Sequence, residues 1–70
     1  MKVIFAQDAL SLIEDKGNVK RFKLVFSGSK TRYQQKEDAF DQLEAKYKGF
    51  HRLMASTGDD TSSELVIRDY

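Results

Sequence analysis

The sequence contains no cysteine, proline or tryptophan, and only four glycines. Without cysteine there is no disulfide framework, no thiolate nucleophile and no cysteine-ligated metal site. Burial and hydrogen bonding must hold the fold unaided, which leans toward a reducing compartment, so a cytoplasmic location is expected. No apolar run approaches the roughly 20 residues that cross a bilayer as a helix. The amino terminus also lacks the long apolar stretch of a signal peptide, so a soluble chain with no membrane partner is expected.

What is present suits one small folded unit. The 70 residues are 40% hydrophobic and 11% aromatic, with three tyrosines and five phenylalanines. A single compact domain over residues 1–70 is expected, one that buries about 60% of the surface its unfolded chain exposes. No repeat or linker divides it.

The near-zero net charge of +1 conceals a strong division along the chain. Residues 1–15 carry Lys2 against Asp8, Glu14 and Asp15, a net of −2. Residues 16–36 carry Lys16, Lys20, Arg21, Lys23, Lys30, Arg32 and Lys36 with no acid, a net of +7. The remainder carries Lys46, Lys48, Arg52 and Arg68 against eight acids, a net of −4. A neutral protein can thus be strongly dipolar, although lysines on strands also serve simply to keep those strands solvated and unpaired.

Periodicity organises the chain. Lys2 to Ala6 reads as an opening strand rich in β-branched residues. Residues 8–15 fit either a short helix capped by Asp8 or a strand with Leu10 and Leu12 facing inward. The extended reading is preferred, because one or two helical turns are marginal alone. It leads to a reversal at Asp15-Lys16-Gly17-Asn18. From Val19 to Phe26, alternation puts Lys20, Phe22, Leu24 and Phe26 on the core side and Arg21, Lys23 and Val25 on the other. Ser27-Gly28-Ser29 reads as a second reversal, with Lys30 to Gln34 returning as a strand.

Between Lys36 and Lys48 the period changes to that of a helix. Ala39, Phe40, Leu43 and Tyr47 form its apolar stripe. Glu37, Asp38 and Asp41 toward its start, with Lys46 and Lys48 at its end, suit the helix dipole, and Glu44 and Lys48 make a favourable i,i+4 pair. Gly49 fits a left-handed closing position, from which Phe50 can fold back onto the stripe. Phe50 to Ala55 and Glu64 to Tyr70 then read as strands around a polar reversal at residues 56–60. The expected fold class is α+β: a small antiparallel β-sheet of four or five strands with one amphipathic helix packed on one face.

The feature most suggestive of function is the basic double strand around Ser27-Gly28-Ser29. Arg21, Lys23, Lys30 and Arg32 are its expected contact residues, with Lys20 and Tyr33 as auxiliaries. Such a basic β-hairpin could meet an acidic protein surface, its strand adding backbone hydrogen bonds. The same cations could bind nucleic-acid phosphates with counterion release. Tyr33 could then stack on a base, but alternation places it opposite Arg32, and a core position beneath Phe40 is the preferred expectation. No helix-turn-helix, zinc-finger or RNA-reading sheet pattern supports the nucleic-acid alternative. A homodimer is a further possibility, since a small open sheet has edges that a second copy could cover.

Catalysis finds little support. His51, the one histidine, is expected to be an ordinary strand residue, although with Arg52 it could touch a phosphate. Ser56, Ser62 and Ser63 have no triad context. Asp59 and Asp60 do not reproduce a calcium loop. Glu37, Asp38, Asp41 and Glu44 read as the wet face of the helix, and Ser27-Gly28-Ser29-Lys30 lacks the spacing and following helix of a phosphate loop. No catalytic, cofactor-binding or metal-ligating residues are expected. The sequence therefore points to a non-catalytic protein-binding or regulatory module, with small nucleic-acid-binding protein as the alternative.

Overall fold

A computed structural model describes residues 9–59 and 61–69, without the side chain of Thr57. The strand expected at residues 2–6 lies outside them. In chain order the elements are β1 (Leu10–Asp15), β2 (Val19–Val25), α1 (Arg32–Lys46), β3 (Phe50–Thr57) and β4 (Ser62–Asp69). The four strands form an antiparallel sheet in the order β1-β2-β4-β3, and α1 packs on one face of it. This is the small α+β fold that the patterning implied.

Alternation divides the sheet into a face covered by α1 and a second, the open face, that no helix covers among the described residues. Phe22, Leu24, Leu65 and Ile67 rise beneath α1 and meet Ala39, Phe40 and Leu43 from the helix. Leu10, Phe26, Tyr47 and Phe50 close the margins of this core. Leu24, Leu65 and Ile67 are completely buried, each stabilising the fold by about 1.5–3 kcal/mol relative to exposure. The open face carries Arg21 and Lys23 on β2, Glu64 and Arg68 on β4, and His51 and Met54 on β3, as the strand registers require. Val66 is buried there too, flanked in register by Arg21 and Met54.

Residues 10–15 are extended, as expected, and pair Leu10 with Leu24 and Leu12 with Phe22. The turn that follows uses a φ of +77° at Gly17, whose N–H donates to Asp15 Oδ1 at 2.9 Å. The strand expected at Lys30 to Gln34 does not form. Thr31 instead caps α1, accepting a hydrogen bond from the Gln34 N–H on Oγ1 at 3.1 Å, so that Arg32, Tyr33 and Gln34 make up the first helical turn. A basic hairpin centred on residues 27–29 is therefore absent, and Gly28, although at positive φ, belongs to a strand-to-helix connection.

The earlier start changes the electrostatics of α1. Its first turn holds no acid and its last holds Lys46, so only the carboxy-terminal end complements the dipole. Lys48 lies past the helix, and Glu44 turns to β3 instead of pairing with it. The Tyr47 N–H closes the helix on the Leu43 carbonyl at 2.8 Å, and Gly49, at a φ of +92°, turns the chain into β3.

Candidate protein-binding surface

The cations expected to act together sit on three different elements and are largely engaged within the fold. Arg21 makes a two-pronged contact with Glu64, Nε to Oε1 at 3.1 Å and Nη2 to Oε2 at 2.7 Å, and donates from Nη1 to Glu14 at 3.0 Å. This ties β1, β2 and β4 together across the open face. Hydrogen bonding to Glu64 first, and then to Glu14, raises the Arg21 pKa above its ordinary value, while hydrogen bonding to Arg21 lowers that of Glu14. Lys30 lies in the β2–α1 connection and donates to Asp38 at 3.0 Å, holding that carboxyl below its usual range. Arg32, at the start of α1, lies 5.1 Å from the Phe26 ring centre. Lys23 is exposed on the open face, opposite Glu64 in register.

The two auxiliary residues part company. The Lys20 side chain is only 13% exposed, donates to Asp15 at 2.7 Å and lies 5.5 Å from the ring centres of Tyr47 and Phe50. It caps the end of the core, where its stem packs against apolar surface and its charge stays paired. Tyr33, expected beneath Phe40, is 71% exposed on the first turn of α1. Its outward direction follows from the helix starting at Arg32, which replaces the period of two by one of 3.6.

A second charged arrangement, on the opposite side of the sheet, was not anticipated. Glu37, Asp41 and Glu44 succeed one another at i, i+4 and i+7 along one flank of α1. All three converge on Arg52 of β3, at 2.9 Å from Nη1 to Glu37, 3.1 Å from Nη2 to Asp41 and 2.8 Å from Nη2 to Glu44. The guanidinium also lies 4.9 Å from the Phe40 ring centre. Hydrogen bonding to Glu44 is the largest influence raising the Arg52 pKa. One cation among three carboxylates gives this cluster of four groups a net −2. Arg52 and His51 stand on opposite faces by alternation, so the phosphate contact considered for the pair has no shared surface.

Beside this flank runs the β3 edge. Among the described residues β3 pairs with β4 alone, and a register shift between Arg52 and Met54 places Leu53 in a bulge. Residues 51–55 are all exposed, with Leu53 at 43% and Met54 at 53%. The other edge, β1, bulges between Leu12 and Glu14 in the same way and exposes Leu12 and Ile13. Bulges of this kind twist an edge and weaken indiscriminate pairing.

Gln35 is a further residue that pattern reading missed. Its side chain is 2% exposed and fully partnered, with Oε1 accepting from the Ser27 N–H at 3.0 Å and Nε2 donating to the Lys30 carbonyl at 2.8 Å. It thereby fastens the β2–α1 connection to the helix. The signal was a polar residue one turn ahead of Ala39 and Leu43 on the buried stripe. Asp59 does comparable work between β3 and β4, its Oδ1 accepting from the Thr61 N–H at 2.7 Å and the Ser62 N–H at 3.0 Å.

No grouping of three histidine or acidic side chains suited to a metal ion occurs among the described residues, and no described helix is long and apolar enough to cross a membrane. Comparison with protein families, with curated proteins and with solved structures finds no match.

Proposed function

We propose that this chain is a non-catalytic protein-binding module that takes an extended segment of a partner along the outer edge of β3. The observation that carries this reading is an eight-residue edge strand without lysine or proline, on which Leu53 and Met54 are exposed and whose strand neighbour, among the described residues, is β4 alone. The bulge at Leu53 limits indiscriminate pairing along this edge but leaves strand on both sides of it, where an added segment gains main-chain hydrogen bonds as well as side-chain contacts. Protein partnership through Arg21, Lys23, Lys30 and Arg32, or phosphate binding by the same residues, has weaker support. Arg21 and Lys30 already hold carboxylates, which a partner would have to displace.

A selection from a random decapeptide library on the immobilised protein tests the reading, with the footprint of each selected peptide mapped by amide hydrogen exchange. Protection confined to residues 51–57, and lost in Leu53→Lys and Met54→Lys variants that keep the wild-type amide spectrum, supports it. Binding that survives both substitutions, or a footprint on Lys23 and Arg32, refutes it. Salt-sensitive binding of single- or double-stranded nucleic acid that disappears in Lys23→Glu/Arg32→Glu would instead establish the phosphate alternative.

A further inference from the structure

We infer that the segment held by β3 is cationic, alternating lysine or arginine with apolar residues; this rests on the edge-strand reading above. Side chains of a strand added outside β3 would alternate between the two faces of the sheet. Those on the helical side would stand beside Arg52 and Ala55, below the flank of α1 that carries Glu37, Asp41 and Glu44. These three carboxylates and Arg52 together sum to −2, and the Asp41 side chain is 69% exposed, so the cluster keeps capacity to accept hydrogen bonds from an incoming cation. Those on the open face would run beside Met54, which favours apolar residues at the intervening positions.

The same charge argues against a second copy at this edge. Two β3 strands paired antiparallel about a two-fold axis normal to the sheet would place both helices on one side. Their four-group clusters would then face each other, each at net −2, and like charges brought together this way oppose association. Arg52 already demonstrates the recognition chemistry: one guanidinium from the strand, gathered by three carboxylates from the helix. A cationic peptide would extend this cluster by one further position outward.

Two synthetic decapeptides distinguish the possibilities, one alternating lysine with valine and one alternating glutamate with valine, each titrated into the intact isotope-labelled protein. The expected result is that the lysine peptide shifts amide resonances of residues 51–57 and binds at least about tenfold tighter than the glutamate peptide. Raising salt from about 50 to about 300 mM should reduce this preference several-fold, since the flank is open to solvent. Asp41→Asn should weaken the lysine peptide about threefold, and Glu37→Gln/Asp41→Asn/Glu44→Gln should abolish the preference. Equal binding of both peptides at β3 overturns the cationic assignment while leaving the edge-strand reading intact. Binding of neither at β3, or concentration-dependent self-association that shifts the same amides, overturns both.

Discussion

Replacing Gln35 by methionine isolates what its amide contributes. Methionine approximates the length and volume of the side chain, so the buried site stays filled and the change is confined to two hydrogen bonds. The Ser27 N–H and the Lys30 carbonyl would each lose a partner. Complete burial of such a group without a partner costs about 1–3 kcal/mol, but both lie in an exposed connection where water can replace the amide in part. The expected loss is therefore about 1–2 kcal/mol in total, which lowers the Tm of a domain this size by roughly 5–15 °C. Urea unfolding at fixed pH reads this as a lower midpoint with an unchanged slope. Hydrogen exchange should lose protection at the Ser27 amide. A Gln35→Met protein within about 0.5 kcal/mol of wild type, with Ser27 still protected, would refute the claim that this side chain fastens the connection. Gln35→Glu adds a second reading of the same geometry. A carboxylate there keeps the acceptor for Ser27 but opposes the Lys30 carbonyl, so its folded pKa should rise above the unfolded value. Its stability relative to wild type should then fall as pH rises through that folded pKa.

Other expectations follow from the same contacts. Glu14, Asp15, Asp38 and Asp59 are all held below their ordinary values of 4.5 for glutamate and 3.8 for aspartate. Their contribution is complete above those values and is lost as pH falls through the lower folded ones, so Tm should drop below about pH 4 and a Tm unchanged from about pH 5 to pH 2 would contradict it. Leu65→Ala removes a completely buried side chain from the middle of the core and should cost about 3 kcal/mol, comparable with the whole stability available to so small a domain, so amide dispersion should collapse. Gly17 stands at a φ of +77°, and a Cβ added to it would meet nothing within 4 Å. Gly17→Ala should therefore lose about 1 kcal/mol by backbone strain alone and Gly17→Asn distinctly less; equal losses on calorimetry would locate the cost elsewhere.

The fold was legible wherever one pattern dominated. Phe22 and Leu24 alternate without interruption, and Ala39, Phe40 and Leu43 return at helical spacing, so the sheet, the helix and their contact could be read together. Residues 30–34 misled because Thr31 and Tyr33 alternate with Lys30, Arg32 and Gln34 as a strand would. The contrary signal was Thr31 followed three residues later by Gln34, a helix-start pattern; the structure uses the threonine side chain for the cap. The candidate site was less legible, because charge counted along a chain says nothing of what folds against it. Glu64 reaches Arg21 from 43 residues away, and Arg52 meets Glu37 from 15 away. Tertiary placement thus pairs cations that the linear sequence leaves unopposed. Gln35 escaped notice for a different reason: a polar residue enters no apolar tally, yet buries fully when it satisfies backbone groups on both sides.

The strand order has a consequence for how the chain reaches this state. β1–β2 and β3–β4 are each local hairpins, joined across short turns, whereas the central β2–β4 pairing matches Phe22 with Leu65 and must enclose α1 and β3 in the loop it closes. Loop closure of that length is entropically costly and yields nothing until the two strands meet. Substitutions along this central seam should therefore slow refolding, while those confined to the outer rims should mainly hasten unfolding. The middle of the sheet thereby sets the pace of assembly, and the rims set how long the assembled protein lasts.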